Sequence, residues 1–238
     1  MEPMDTLTKP GIMAKLRNRR GFSLIEMAIV LVIIGIIIGA IIKGQDLMFN
    51  SRAKQLVATA NSWKISAFAY MDRNGNFPGD SGKDGTIASG PTSSTEIASG
   101  GTAISEITSA LSNAPANPVL IGGQSYWFYF GYVNGDNGPR NGIVVCPTVD
   151  CLTALSPDSV EMYKALDTAL DGTADAGTGQ FRALKTTSSS NITTGGSANG
   201  RANGVVINPT LENSTAAGSN KVWLTDHFGG FWAFDKQF

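Results

Sequence analysis

The chain has 238 residues, of which 42% are hydrophobic and 16% charged, and its formal net charge is −1 at pH 7. This balance is ordinary for one good-sized globular domain or two small ones. Nucleic acid is not an expected partner, because binding it needs clustered Lys and Arg that displace counterions from phosphates, and no basic stripe follows the first 21 residues.

The first 21 residues are basic, whereas the remainder is mildly acidic. Residues 1–21 carry a net charge of +3, which leaves −4 on the other 217 residues. The cations in this segment are Lys9, Lys15, Arg17, Arg19 and Arg20. Because basic residues in front of an apolar segment stay in the cytoplasm, we predict a cytoplasmic N-terminus with the rest of the chain outside.

An apolar segment from Phe22 to Ile42 follows the basic residues. As a helix its 21 residues span about 31 Å, which matches a hydrocarbon core of about 30 Å, so we predict a membrane-crossing helix in contact with lipid. A secretory signal peptide fits poorly, because the segment is long and no Ala-x-Ala site follows it. A plain uncleaved anchor leaves Glu26 unexplained.

Glu26 places a carboxylate near the start of the apolar segment. On insertion scales a charged carboxylate costs about 2.5 to 3.5 kcal/mol at the bilayer centre and less near the interface. An ionisable residue in such a segment marks a functional site that needs a partner. The natural partner here is a positive N-terminus created nearby.

Residues 19–26, Arg-Arg-Gly-Phe-Ser-Leu-Ile-Glu, resemble the class III leader junction of type IV prepilins and type II secretion pseudopilins. The resemblance implies that prepilin peptidase cuts after Gly21 and that the new N-terminus, Phe22, is methylated. It further implies a single-pass inner-membrane protein that an assembly platform builds, with other pilin subunits, into a periplasmic or cell-surface filament. Such filaments serve adhesion, motility, DNA uptake or protein secretion.

Two features of the apolar segment suit packing between subunits. Glu26 of one subunit would pair with the Phe22 ammonium of its neighbour, and because buried charges offset each other only in good geometry, the pair would set the register. Gly35 and Gly39 form a Gly-x-x-x-Gly pair that allows helices to approach closely. Members of the family often carry a proline near the end of this segment, and a helix break at Gly44 is left open.

Helical spacing of apolar residues continues beyond the apolar segment to about Asp72. We predict one long helix whose half at 22–42 is transmembrane or filament core and whose half at 43–73 packs on a soluble domain at 74–238. The stretch Asn-Gly-Asn-Phe-Pro-Gly-Asp that ends at Asp80 breaks the helix, and it resembles the loop after the long helix of pilin-like proteins.

The predicted fold class is α+β, with the long helix packed on a C-terminal antiparallel sheet, as in pilins. The strongest strand is Gln124–Val133, apolar on both faces and therefore central, and a turn over 134–142 joins it to a strand at Ile143–Cys146. Short helices are expected around Ile107 and from Ser156 to just before Gly172. Further strands are predicted at Gln180–Leu184, Val205–Asn208, Lys221–Thr225 and Phe231–Phe234.

The two cysteines, Cys146 and Cys151, are predicted to form a disulfide, since they lie in the part expected to be exported. A metal site would need more ligands, and the only histidine, His227, is far away and is expected at the surface or in a turn. No nucleophile with a base and no paired carboxylates stand out, so an enzyme and a bound cofactor are not expected.

Calcium is left open at two clusters of oxygen-bearing side chains that do not fit the EF-hand spacing, although solvated helix ends and turns are the preferred interpretation. The clusters are Asp167, Asp171 and Asp175, and Asp72, Asn74, Asn76 and Asp80.

The alternative function is a membrane-anchored extracytoplasmic ligand-binding protein or adhesin. Its binding surface would use a set of aromatic residues for which sheet core is the preferred interpretation. These residues are Tyr126, Trp127, Phe128, Tyr129, Trp223, Phe231 and Trp232. The choice among major pilin, minor pilin and pseudopilin is left open.

Overall fold

The computed structural model describes residues 21–80, 82–87, 103–135, 138–148, 151–186, 192–193, 205–207, 210–212 and 221–235. Residues 1–20, and with them the leader and its cations, lie outside the described residues. The chain divides into two compact units, residues 1–46 and 47–238.

The long predicted helix is present as α1, Leu24–Asn74. It continues without a break through Gly44. It ends two residues beyond the predicted position, where Gly75 has φ of 78° and its N–H donates to the Met71 carbonyl at 2.7 Å. Glycine adopts this left-handed conformation without steric cost, which is why it terminates the helix here.

The part of α1 that lies in the second unit buries one stripe of residues. The buried apolar positions recur every three or four residues and are Ala53, Leu56, Ala60, Trp63 and Ala67. The Trp63 ring lies 6.3 Å from the ring of Phe128 and 6.0 Å from that of Phe130, measured between centroids. This stripe therefore packs α1 on the sheet.

Two further helices and eight strands complete the second unit. The helices are α2 (Ala103–Ala110) and α3 (Pro157–Asp171). The strands are β1 (Val119–Ile121), β2 (Gln124–Gly135), β3 (Gly138–Cys146), β4 (Phe181–Thr186), β5 (Ile192–Thr193), β6 (Val205–Ile207), β7 (Thr210–Leu211) and β8 (Gly230–Ala233). They follow the order β5-β6-β2-β3-β8-β4-β7, and β1 pairs with the start of β2. The α+β class is confirmed, and the pairing of β2 with β6 is parallel.

Strand β2 is central and buried on both faces, as predicted. Phe128 and Phe130 join the core beneath the helices, whereas Tyr129 and Val133 join a second core on the other face of the sheet. This second core also holds the Cys146–Cys151 pair. The sheet thus separates two apolar layers.

The predicted turn over 134–142 is wrong, because β2 extends to Gly135 and β3 already begins at Gly138. The glycines that suggested a turn have another use. Gly142 pairs with Gly131 within the hairpin, and a Cβ at Gly142 would collide with the ring of Phe231. A residue without a side chain is needed there for packing.

The predicted strand over Lys221–Thr225 is also absent from the structure. The Lys221 N–H donates to Asp175 Oδ1 at 3.0 Å, and the Leu224 N–H donates to His227 Nδ1 at 3.1 Å. Side chains from other parts of the chain therefore take the backbone groups that a strand would have paired.

Strands β6 and β7 are separated in the chain by two residues, yet they pair with β2 and β4 at different places in the strand order. In a flat sheet β6 and β7 would lie about 24 Å apart, which is five strand spacings. Three Cα–Cα steps cover at most about 11 Å. The sheet is therefore strongly curved.

Candidate functional site

The first turns of α1 present an apolar surface. Phe22 is 80% exposed, and the large apolar side chains from Leu24 to Ile42 are exposed as well. By length and composition alone, α1 is able to cross a membrane, and its most apolar 18-residue window has a mean hydropathy of 3.0. Only lipid or other protein would cover such a surface favourably.

Glu26 caps the start of α1. Its Oε2 accepts a hydrogen bond of 2.8 Å from the backbone N–H of Ser23, the residue just before the helix. This is the Glu half of a capping box, and a carboxylate in the first turn also suits the helix dipole. The Ser-x-x-Glu spacing would have predicted this role of Ser23, which the sequence analysis missed. Within the described residues Glu26 makes no ion pair.

Gly35 and Gly39 lie four residues apart on α1, so they share one face of the helix. A Cβ added at either position would have no heavy atom within 4 Å. Nothing within this chain therefore requires glycine at these two positions. Their use in packing between subunits stays a prediction.

The predicted disulfide between Cys146 and Cys151 is confirmed. Both residues are fully buried, and their Cα atoms are 5.2 Å apart. Cys146 is the last residue of β3, so the bond fixes the chain directly after that strand. Shortly beyond it, the Leu155 N–H donates to the His227 carbonyl at 2.8 Å.

His227 lies next to a turn, but the expectation that it might be a surface residue is wrong, because it is only 2% exposed. Its Nδ1 accepts from the Leu224 N–H, which places the ring proton on Nε2, 3.8 Å from Glu212 Oε2. Burial lowers the pKa of His227, against the nearby Asp226 and Glu212 carboxylates, which raise it. This histidine holds the backbone of its own turn.

The first candidate calcium cluster is engaged in hydrogen bonds within the chain. Asp171 Oδ2 accepts from the Phe181 N–H at 2.7 Å, and Asp175 Oδ1 accepts from the N–H groups of Gly177 and Lys221 at 3.0 Å each. Asp167 is buried and accepts from Trp223 Nε1. These carboxylates anchor the start of β4 and the segment that begins at Lys221.

The second candidate cluster organises the loop after α1. Asn76 Nδ2 donates to the carbonyls of Phe77 and Asp80, while the Asp80 carboxylate accepts from the N–H groups of Asp84 and Gly85. Among the described residues, no group of three or more His, Cys, Asp or Glu side chains is arranged to hold a metal ion. Calcium binding stays a prediction, to be checked by titration.

The aromatic residues proposed for a binding surface form core instead. Six of the seven are buried, and only Trp127 is half-buried. The rings of Phe181 and Trp223 stack at 5.3 Å between centroids, and both contact Tyr163. These aromatic side chains therefore do not form an exposed binding surface.

Residues 16–42 match the family model described as the prokaryotic N-terminal methylation motif. This motif is the class III leader of type IV pilins and pseudopilins, and it lies where the sequence resemblance placed it. The chain is therefore a type IV pilin-like or pseudopilin-like precursor, with a motif typical of structural proteins rather than enzymes. The leader and the apolar helix support anchoring in a membrane. No curated protein and no solved structure matches the chain.

Proposed function

We propose that this chain is a structural subunit of a type IV pilus or a pseudopilus-like filament, assembled through the first half of α1. The observation that carries the proposal is the placement of Glu26, a carboxylate four residues after Phe22 at the start of an exposed apolar helix. The methylation motif over residues 16–42 supports the same function.

Processing would begin with prepilin peptidase, which cuts after Gly21 and leaves Phe22 as a methylated N-terminus. Methylation keeps the positive charge of the amino group. Residues 22–42 then hold the subunit in the inner membrane, with the N-terminus cytoplasmic, until the assembly platform adds it to the filament. In the filament the same residues form the core, together with those of neighbouring subunits.

Glu26 would set the register between subunits by pairing with the Phe22 ammonium of a neighbour. Removing one member of a buried ion pair costs about 3 to 5 kcal/mol, because the other charge is left buried and uncompensated. A subunit in the wrong register suffers the same penalty. Gly35 and Gly39 would let the paired helices approach closely.

The intact mass of the protein extracted from membranes of its native host tests the processing steps. We expect a chain that begins at Phe22 and carries one added methyl group. A chain that retains its leader, or one cut after residue 42, would contradict the proposal.

Two substitutions at Glu26 separate pairing from helix capping. Glu26→Gln keeps a side-chain acceptor for the Ser23 N–H but removes the charge, whereas Glu26→Ala removes both. If the charge pair sets the register, both variants lose filament assembly while remaining in the membrane. Assembly that survives in Glu26→Gln and fails in Glu26→Ala would assign Glu26 to capping alone. Unchanged function in both variants would favour the membrane-anchored binding protein.

A further inference from the structure

A cavity of about 410 Å³ lies within the second unit, between α1, the turn that joins β1 to β2, and the first turns of α3. Its apolar lining includes Phe49, Ile121 and Met162. The volume is in the range of about 300 to 1,000 Å³ that is typical of small-molecule sites.

Two of the polar residues that line the cavity are already engaged. The hydroxyls of Ser159 and Ser156 are 2.9 Å apart, in the cap of α3. Glu161 forms an ion pair with Lys164, with 2.6 Å between Oε1 and Nζ. Neither needs a ligand to complete its contacts.

Four other polar side chains line the same cavity without an engaged partner. Arg52, Gln124, Tyr126 and Asp158 make no side-chain hydrogen bond and no ion pair with any described residue. Tyr126 is the most informative, because it is only 2% exposed and so has little access to water. The free polar groups thus comprise one cation, one anion, one amide and one buried hydroxyl.

Both charges face the Tyr126 hydroxyl. Burial raises the pKa of Tyr126 to about 12, while Arg52 lowers this pKa and Asp158 raises it. The hydroxyl is therefore protonated at neutral pH and is able to donate a hydrogen bond. Arg52 and Asp158 are not in ion-pair contact with each other, so each charge is available to a ligand.

The position of Arg52 depends on a glycine. Gly122 has φ of 60°, and a Cβ there would overlap the Arg52 side chain, 2.7 Å from its Cζ. The missing side chain lets the guanidinium lie against the turn. A cation held in place before binding loses less conformational entropy when a ligand arrives.

We propose that this cavity binds a zwitterionic α-amino acid with an apolar side chain. The ligand carboxylate would meet Arg52 and the Tyr126 hydroxyl, its ammonium would meet Asp158, and its side chain would lie against the apolar lining. A simple anion would face Asp158 and a simple cation would face Arg52, whereas a zwitterion satisfies both. The inference does not depend on the proposed filament function.

Calorimetric titration of the full chain in detergent micelles tests the proposal, with L-leucine as the probe. We expect saturable binding at millimolar concentration or below. N-acetyl-L-leucine lacks the ammonium and L-leucinamide lacks the carboxylate, so each should bind at least about tenfold more weakly. Because all three titrations use the unsubstituted chain, the comparison does not depend on how a variant folds.

Matched substitutions assign the binding to this cavity. Arg52→Gln and Asp158→Asn should each weaken leucine binding at least about tenfold. Lys54→Gln and Asp72→Asn remove the same charges from exposed positions of α1 and should bind leucine as the unsubstituted chain does. The absence of saturable binding, equal affinity for leucine and its two derivatives, or binding unchanged in Arg52→Gln and Asp158→Asn would overturn the proposal.

Discussion

The indole Nε1 of Trp223 donates a hydrogen bond of 2.8 Å to Oδ2 of Asp167, and both side chains are buried. The bond joins α3 to the irregular segment that begins at Lys221. Oδ1 of Asp167 has no hydrogen-bond partner among the described residues. Burial raises the pKa of Asp167 to about 8, although the bond from Trp223 lowers it. The folded chain therefore favours the protonated carboxyl group near neutral pH.

This pKa predicts that Asp167 makes the folded state less stable as the pH rises. The folded pKa is above the ordinary value of about 3.9, so the folded state binds a proton that the unfolded state releases between about pH 4 and pH 8. The free energy of unfolding should fall across this window, by up to about 1.4 kcal/mol per pH unit from this group. Asp167→Asn should remove the fall and still accept from Trp223.

Chemical denaturation of both chains at several pH values, followed by tryptophan fluorescence, measures this difference. Asp72→Asn serves as the control, because it removes a carboxylate from an exposed position and should keep the pH dependence of the unsubstituted chain. Identical pH profiles for the unsubstituted chain and Asp167→Asn would contradict the prediction.

His227 should act in the opposite direction. Burial lowers its pKa below the ordinary value of about 6.5, so its contribution to stability is complete above pH 6.5 and is lost as the pH falls. His227→Asn supplies a side-chain oxygen to accept from the Leu224 N–H but does not titrate. We expect the free energy of unfolding to decrease below pH 6.5 more steeply in the unsubstituted chain than in this variant, and parallel curves would refute the assignment.

Gly122 and Gly123 provide a matched pair for the Arg52 position. Both have positive φ, so Gly122→Ala and Gly123→Ala should each destabilise the fold by about 1 to 2 kcal/mol. Only the Cβ at Gly122 meets the Arg52 side chain. Thermal unfolding should therefore shift similarly in the two variants, whereas leucine titration should weaken in Gly122→Ala alone. Equal leucine affinities would show that the guanidinium position does not matter.

The disulfide closes a short loop, since Cys146 and Cys151 are five residues apart. Replacing both with alanine should lower the free energy of unfolding by about 2 kcal/mol, mainly because the unfolded chain gains freedom. Thermal unfolding with and without reductant measures the effect. The unsubstituted chain should lose stability on reduction, and the double variant should not respond to reductant. A response in the double variant would show that the reductant acts elsewhere.

Features set by neighbouring residues were predictable from the sequence. Ser156 Oγ accepts from the Ser159 N–H, Pro157 begins α3, and Gly172 ends it with φ of 84°, all as the local pattern indicates. The end of α1 near Gly75 follows from the same kind of signal. In each case the atoms that decide the conformation lie within a few residues of one another.

Features that depend on distant residues were not predictable. The segment from Lys221 has the composition of a strand, but Asp175, 46 residues away, takes its first N–H. The cavity brings Arg52 beside Tyr126, and no local pattern connects these two positions. His227 looked like a surface residue because nothing in its own sequence neighbourhood shows that Trp223 and Glu212 cover it.

Residues 205–211 take up backbone groups that a flat sheet would leave free. The first half of this segment pairs with β2 and the second half with β4. Unpaired strand edges invite other chains to add strands, which leads to aggregation when proteins are crowded. Copies of this chain packed side by side therefore have less exposed edge through which to stick together, and their contacts fall instead to side chains.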